Sequence, residues 1–441
     1  MFLSGWGNYP KIKTNVYSPK NISALIKILE TQDSVIARGN GLSYGDSSIN
    51  VNSTILMKSF NKIINFNEKL GEVEVEAGVS IGQIIETSLA KGWFPMVAPG
   101  TKFVTIGGAI ASDVHGKNHH IEGSFRKCVM WLEVISSDGK IYKCSREHNT
   151  ELFENTIGGM GLTGIIIKAS LKLKAIETSW INQKTIVTPD LKSTIKTFKD
   201  TQDINYSVAW IDCLATGKSS GRSIIRLGEH AKKDELPIEL SYQPLSFESK
   251  TKINIFFNFP STLMNPFLVK IFNVMYYWKN AFASKSKLIS WDNYFFPLDS
   301  IHNWNRIYGK KGFMQFQCVI PLKYSEDGIS CILNEISKNN TGSFLAVLKR
   351  LGFQESPFSF PMEGFTLSLD FPNSTANHEL LEQLERIVTK FSGRFYLTKD
   401  SRLTSSVLRD SDDRVEKFCQ VRKKLKVEKK FQSSQSNRLR L

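Results

Sequence analysis

Cysteine is scarce in this sequence: six in 441 residues, at positions 128, 144, 213, 318, 331 and 419. No two form a CxxC pair and none has zinc-finger spacing, so neither a disulfide framework nor a structural zinc is indicated. That leans mildly toward a reducing compartment. Also missing is any stretch near the ~20 apolar residues that a membrane-spanning helix needs. The opening "MFLSGWGNYPKIKTNVYS" has no charged region followed by an apolar run, which argues against a signal peptide. There is no internal repeat and no low-complexity tract. Acidic residues are in short supply, 42 Asp plus Glu against 57 Lys plus Arg, a net charge of +15. An excess of this size points to an anionic partner: nucleic acid, a phosphorylated ligand or an acidic membrane. A basic composition serving solubility alone explains it equally well.

What is present suffices for a folded core. Hydrophobic residues make up 41% and charged residues 22%, the balance of a globular chain. The length implies two or three domains. From Val16 to Leu173 the text is strand-rich with short helices. "NISALIKILETQ" (21–32) reads as an amphipathic helix and "SVIARG" (34–39) as a strand entering a Gly-rich turn. "GEVEVEAGVSIGQIIETSLAKG" (71–92) reads as strand, turn and helix, and "IIIKASLKLKAI" (165–176) as a strand. From Glu177 to Phe391, strands such as "YSVAWIDC", "FMQFQCVIP" and "GFTLSLDFP" alternate with helices such as "NHELLEQLERIVTKF". This predicts a second α+β domain on an antiparallel sheet.

Three segments raise chemical questions. "GGMGLTG" matches G-x-G-x-x-G at Gly159, Gly161 and Gly164. A dinucleotide fingerprint needs a strand before it and a helix after it. Here the order reads helix then strand, so a Rossmann site is excluded. "ARGNGLSYGDSS" (37–48) and "APGTKFVTIGGAIASDVHG" (98–116) are dense in small residues. Such loops let backbone N–H groups approach phosphate oxygens, and two of them could clamp a diphosphate cofactor; ordinary tight turns remain an equal alternative. "DVHGKNHH" offers Asp113, His115, His119 and His120 as metal ligands. Adjacent His119 and His120 point apart on a helix or strand, so no metal is expected.

"ARGNGLSYGD", "APGTKFVTIGGAIASDVHGKNHHIEGSF", "GGMGLTGIIIKASLKLK", "SVAWID", "FQCVIP", "LDFP" and "YLTKDSRLT" together resemble the FAD-dependent oxidases with a vanillyl-alcohol-oxidase-type (PCMH-type) flavin domain. Within them the likeness is greatest to the branch acting on polyprenyl-phosphate-linked ribose. The resemblance covers nearly the whole chain. It implies an α+β fold with a PCMH-type FAD domain (1–176), a substrate domain with an antiparallel sheet and flanking helices (177–391), and a C-terminal segment (392–441) returning to the FAD domain. The final "FQSSQSNRLRL" resembles the family's C-terminal strand and turn, hence folded structure rather than a nucleic-acid arm.

By this resemblance Arg38, Gly39, Asn40, Gly41, Leu42, Ser43, Tyr44, Gly45 and Asp46 wrap the FAD diphosphate. Gly100, Thr105, Ile106, Gly107, Gly108, Ser112, Val114 and His115 line its other side, and Gly164 with Ile165 or Ile166 its adenine end. Many lactone-oxidising relatives carry a flavin-linking histidine in the first loop. Leu42 stands there, which implies non-covalent FAD. Lys399 is the candidate for flavin charge or proton transfer, Tyr396 for hydrogen bonding, and His115 for cofactor contact. Lys117, Trp210, Gln315, Gln317, Lys349 and Ser368 fall on the substrate side. Mycobacterial members carry cysteine where Ser368 stands. The implied reaction oxidises the 2-hydroxyl of a polyprenylphosphoryl-β-D-ribose to the 2-keto sugar, with an NAD(P)H-dependent short-chain reductase completing an epimerisation. A soluble aldonolactone or alditol oxidase on the same fold is the alternative. A nucleic-acid partner is not expected.

Residues 251–290 contain five Lys, no acid and nine aromatics. Aromatics for an interface and lysines for anionic lipid suit a mobile, membrane-facing lid over a lipid-linked substrate. A buried helical hairpin is the competing reading. The expected location is cytoplasmic or peripheral to a membrane.

Overall fold

A computed structural model describes residues 1–246, 253–260, 265–339, 341–343 and 345–441. Part of the segment read as a lid, 251–252 and 261–264, lies outside the described residues.

The first part of the chain builds two main sheets. Asn15–Tyr17, Ser53–Leu56 and Ile36–Arg38 form a parallel three-stranded sheet. Helix Ile22–Thr31 packs Leu25 and Leu29 against it, and the Asn21 side chain caps its first turn by accepting from Ala24 N. Such a cap contributes ~1 kcal/mol. The second sheet is antiparallel, in the order Ile141–Ser145, Val129–Ile135, Ile165–Ala175, Glu72–Glu76, Ile63–Asn67, with Trp93–Pro95 also paired to Ile165–Ala175. Helix Ile81–Ser88 starts at a reciprocal cap between Ser80 and Gln83. Around "GGMGLTG" the order is helix Thr150–Thr156 and then strand Ile165–Ala175, the reverse of a nucleotide-binding turn.

The second part builds one antiparallel sheet of eight strands. Its order is Ser286–Ser290, Trp180–Thr188, Ser223–His230, Tyr206–Ile211, Val347–Leu351, Gly364–Pro372, Phe313–Pro321, Arg394–Phe395. Period-two alternation decides what each face carries. Leu348, Leu367, Leu369, Phe316, Cys318 and Ile225 point to a core closed by helices Leu191–Asp200, Ser325–Lys338 and Thr375–Lys390. Their alternate neighbours form the opposite face and line a cleft: Arg226, Trp210, Lys349, Ser368, Asp370, Gln315 and Gln317 among them.

The C-terminal stretch departs from the strand and turn expected there. It forms helices Ser405–Ser411, Val415–Lys424 and Ser434–Leu439, with only an isolated bridge from Phe431 to Val35. The reason is local: Ser433 caps the last helix through Ser436. Val427 and Phe431 enter the core beside Leu25 and Leu29, and Arg438 pairs with Asp46. The tail's charge is partly buried too, since Arg422 spends its guanidinium on the carbonyls of Leu162 and Phe431.

Helix Pro266–Ala281 is inverted relative to an ordinary surface helix. Its buried stripe is Val269, Asn273 and Tyr277. Asn273 donates to Asp212, and Tyr277 donates to the Thr188 carbonyl. Phe267 (70% exposed), Met275 (66%) and the adjoining Phe282 (84%) face outward, and Phe256 and Phe257 are exposed nearby. The described part of this segment is therefore not a buried hairpin. Among the described residues, no helix is long and apolar enough to cross a membrane.

Candidate active site

A cleft of about 1200 Å³ runs between the two parts of the chain. That exceeds the ~300–1,000 Å³ of a typical small-ligand pocket. Its floor on one side is the polar face of the eight-stranded sheet. The other side is made by the two glycine-dense loops and the helix Ile106–Ala111.

The two loops interlock. A Cβ at Gly39 would stand 2.1 Å from Thr105 Oγ1, so only glycine allows the contact. Gly100 has nothing within 4 Å of an added Cβ and opens onto the cleft. Tyr44 N donates to the Thr398 carbonyl, and Gly45 packs directly on Asp400. The first loop thus fixes "YLTKDSR" against the cleft.

At the deep end, Lys399 Nζ lies 3.8 Å from the centre of the Tyr44 ring. Burial pulls its pKa down from the usual lysine range, against the pull of the Asp370 charge. Burial pushes the Asp370 carboxyl up. Asp370 accepts from Gln315 Nε2 through one oxygen, and the buried Tyr308 hydroxyl is a second neighbour of the carboxyl. Lys349 is brought down to about 8 by burial. His115 is buried, and desolvation with Lys349 nearby holds it neutral. Gln317 Nε2 lies 3.2 Å from His115 Nε2 and 3.1 Å from Thr366 Oγ1. With the amide donating, the imidazole proton is on Nδ1, which is buried and unpartnered.

Most of the residues singled out from the sequence meet here. Gly39, Asn40, Gly41, Leu42, Ser43, Tyr44, Gly100, Thr105, Gly107, Gly108, Ser112, Val114, His115, Gly164 and Ile166 line the cleft, as do Lys117, Trp210, Gln315, Gln317, Lys349, Ser368, Tyr396 and Lys399. Five do not. Arg38 turns its guanidinium under the loop to the Ser4 carbonyl and Ser48. Gly45 faces Asp400, and Asp46 faces Arg438. Ile106 and Ile165 are core residues. Two others line the cleft with their polar atoms engaged elsewhere. Lys117 Nζ donates to the carbonyls of Tyr294 and Phe295 at 2.8 and 3.0 Å. Tyr396 donates its hydroxyl to the Ser112 carbonyl. Asp370, Thr366 and Arg226 were missed, although Asp370 stands inside the quoted "LDFP"; strand alternation from Ser368 would have found it.

His119 and His120 hold the two parts of the chain together. His119 Nδ1 accepts from Gly352 N while Nε2 faces Gln354 Oε1, and His120 Nε2 faces the Ile204 carbonyl. Asp113 accepts from Gln354 and from Arg126 N. Among the described residues, no group of three or more His, Cys, Asp or Glu is placed to hold a metal.

This arrangement fits a flavin. The cleft is large, and Gly39, Gly41, Gly100, Gly107 and Gly108 leave part of its wall without side chains. His115 lines it with an imidazole whose Nδ1 is buried and unpartnered, and six cations line it against two carboxylates. A family profile described as an FAD binding domain matches residues 12–145. Decaprenylphosphoryl-beta-D-ribose oxidase of Mycolicibacterium smegmatis is 34% identical over 449 residues, covering 100% of this chain and 97% of that protein. The chain belongs to the decaprenylphosphoryl-β-D-ribose oxidase family. It is an FAD-binding oxidoreductase. An uncharacterised protein of Streptomyces coelicolor is 27% identical over 82% of the chain and 100% of its own length. D-arabinono-1,4-lactone oxidase of Kluyveromyces lactis is 23% identical over 39% of the chain and 34% of its own length. The lactone oxidase likeness is thus partial, whereas the ribose oxidase likeness runs end to end.

Proposed function

We propose that this oxidase removes a hydride from C2 and a proton from the 2-hydroxyl of a polyprenylphosphoryl-β-D-ribose, giving the 2-keto sugar. The observation that carries this is the cleft itself, whose polar sheet face runs from Lys399 and His115 toward helix Pro266–Ala281 with its exposed apolar side chains. A sugar suits the first end and a lipid tail the second. In this reading residues 1–176 hold FAD, 177–391 hold substrate, and 392–441 return Lys399 to the cleft.

FAD, when bound, supplies the hydride acceptor. The chain's own residues do the rest. Lys399, depressed by burial, takes the hydroxyl proton. Gln315 is held by Asp370 so that its Oε1, buried and unpartnered, accepts from a sugar hydroxyl. His115 lines the cleft as a neutral imidazole. Lys349 adds positive charge where negative charge develops. Leu42 cannot bond to flavin, so FAD is held without a covalent link. The keto product needs a reductase that delivers hydride from NAD(P)H, and the epimerised sugar then serves as an arabinose donor for cell-envelope polysaccharide. Peripheral membrane contact through the Pro266–Ala281 region accompanies this function.

The test is anaerobic bleaching of the bound flavin with prenylphosphoryl pentoses, aldonolactones and alditols. Bleaching by the ribose lipid and not by lactones is expected. Preference for a lactone or alditol would favour the soluble-oxidase reading. In the same preparation, acid precipitation should leave the FAD in the supernatant.

A further inference from the structure

The cations lining the cleft fall into two groups. Lys399 and Lys349 are at the deep end beside His115. Arg226 and Lys287 are on the outer strands of the same sheet face. Arg226 pairs with Val208, and Ala209 pairs with Leu348, which puts Val208 beside Lys349. Arg226, Val208, Lys349 and Thr366 therefore form one row across the sheet. Arg226 and Lys349 are two strands apart, roughly 10 Å. Only the short Val208 side chain stands between them. A pentose fills a gap of that size.

Arg226 has no described carboxylate within ion-pair distance, and neither has Lys287. Arg226 Nη2 donates to Tyr276 Oη at 2.6 Å. The Tyr276 oxygen is then the acceptor, and its own O–H remains to donate. The Tyr276 ring packs edge-on against Trp210, 5.0 Å between centres. Tyr276 belongs to helix Pro266–Ala281, whose outward side chains are apolar. A guanidinium and a phenol O–H thus meet where the polar cleft gives way to the greasy helix, and Lys287 stands on the same sheet face two strands farther out.

We propose that Arg226, the Tyr276 hydroxyl and Lys287 form the seat for the phosphodiester that links sugar to lipid. This rests on the substrate class proposed above. Guanidinium is weakly hydrated and presents several N–H donors, which suits a phosphate oxygen better than an isolated ammonium does. The assignment leaves Lys349 with the sugar and the reacting end. It also fixes direction: the sugar points inward along the row, and the prenyl chain leaves beneath Tyr276.

The experiment compares farnesylphosphoryl-β-D-ribose with methyl β-D-ribofuranoside, which lacks phosphate. Anaerobic flavin reduction gives kcat/KM for each in the wild type, Arg226→Gln, Arg226→Lys and Tyr276→Phe. Arg226→Gln should cut the preference for the phosphodiester roughly 10–100-fold, the range for a hydrogen bond to a charged group. Arg226→Lys should restore part of it, and Tyr276→Phe should lose less. FAD content should stay at the wild-type value in all. An unchanged preference in FAD-loaded Arg226→Gln overturns the seat. Binding to vesicles with and without phosphatidylglycerol separates a second source of phosphate. If Arg226→Gln loses anionic-vesicle binding while keeping its substrate preference, Arg226 reads lipid headgroups and the seat is wrong. If the wild type reduces its flavin with neither riboside, the substrate class fails first and the seat falls with it.

Discussion

At the scale of single residues, Lys399 is the group to which the proposed reaction assigns the hydroxyl proton. Its ammonium rests over the Tyr44 ring, and burial weakens its hold on the proton. Charge stabilisation at such a site is commonly worth ~3–4 kcal/mol, or ~10²–10³ in rate. Lys399→Ala should fold and load FAD, yet reduce that flavin at least ~100-fold more slowly at saturating substrate. Lys399→Arg should recover part of the loss, because it keeps the charge but cannot take a proton. Stopped-flow loss of oxidised-flavin absorbance measures both; a near-wild-type rate in Lys399→Ala removes the residue from the mechanism. The sign of the pH dependence follows from the same environment. Protonation of Lys399 on acidification removes the proton acceptor, so the rate should fall as pH drops. The Asp370 charge favours the ammonium, so Asp370→Asn should move that acid limb to lower pH. Resemblance led to Lys399, but the carboxylate that tunes it went unread. A sequence shows a motif's letters, whereas the face a letter occupies depends on strand register. The same applies to Lys117 and Tyr396, whose polar atoms are taken by backbone carbonyls distant in sequence.

At the scale of elements, hydrophobic periodicity located the strands and helices well, because burial on one face of a strand or helix leaves a spacing that can be read directly. The tail escaped, since serine and arginine at Ser433–Arg438 signal a capped helix only once the rest of the fold covers it. Helix Pro266–Ala281 is the opposite case: its composition was noticed, and its orientation required the structure. Polar Asn273 and Tyr277 anchor the inner face, leaving Phe267, Met275 and Trp278 outside. Exposed apolar clusters of this kind mark interaction surfaces, and lysines flank this one. Changing Phe256, Phe257 and Trp278 to Ser should weaken binding to anionic vesicles and raise KM for a prenyl substrate, with FAD content constant. These side chains are 77%, 65% and 49% exposed, so the variant should keep its melting temperature. Unaltered vesicle binding in co-sedimentation would rule out a membrane role for this surface.

At the scale of the whole molecule, the histidine-rich segment is a seam. Asp113, His119 and His120 come from the first part of the chain, while Gln354, Gly352 and Ile204 come from the part that builds the eight-stranded sheet. These hydrogen bonds help tie together the two walls of the cleft. His119 is 2% exposed, and burial lowers its pKa to about 4. A backbone N–H already points at Nδ1, so a second proton there has no acceptor. The folded state therefore keeps His119 neutral, whereas in the unfolded chain it titrates near the ordinary ~6.5. Above that value the ring is neutral in both states and its contribution to stability is fully present. Between about 6.5 and about 4 the unfolded chain binds the proton and the folded chain does not, so stability is lost as pH falls. Each pH unit in that window costs up to ~1.4 kcal/mol from this one group. Unfolding by denaturant at pH 7.5, 6.0 and 5.0 should show the wild type weakening relative to His119→Gln. Glutamine keeps polar contacts at the seam but does not titrate, so the variant begins less stable and the gap narrows by ~1–2 kcal/mol at pH 5.0. Parallel curves for the two proteins across this range would mean that His119 does not couple the seam to pH.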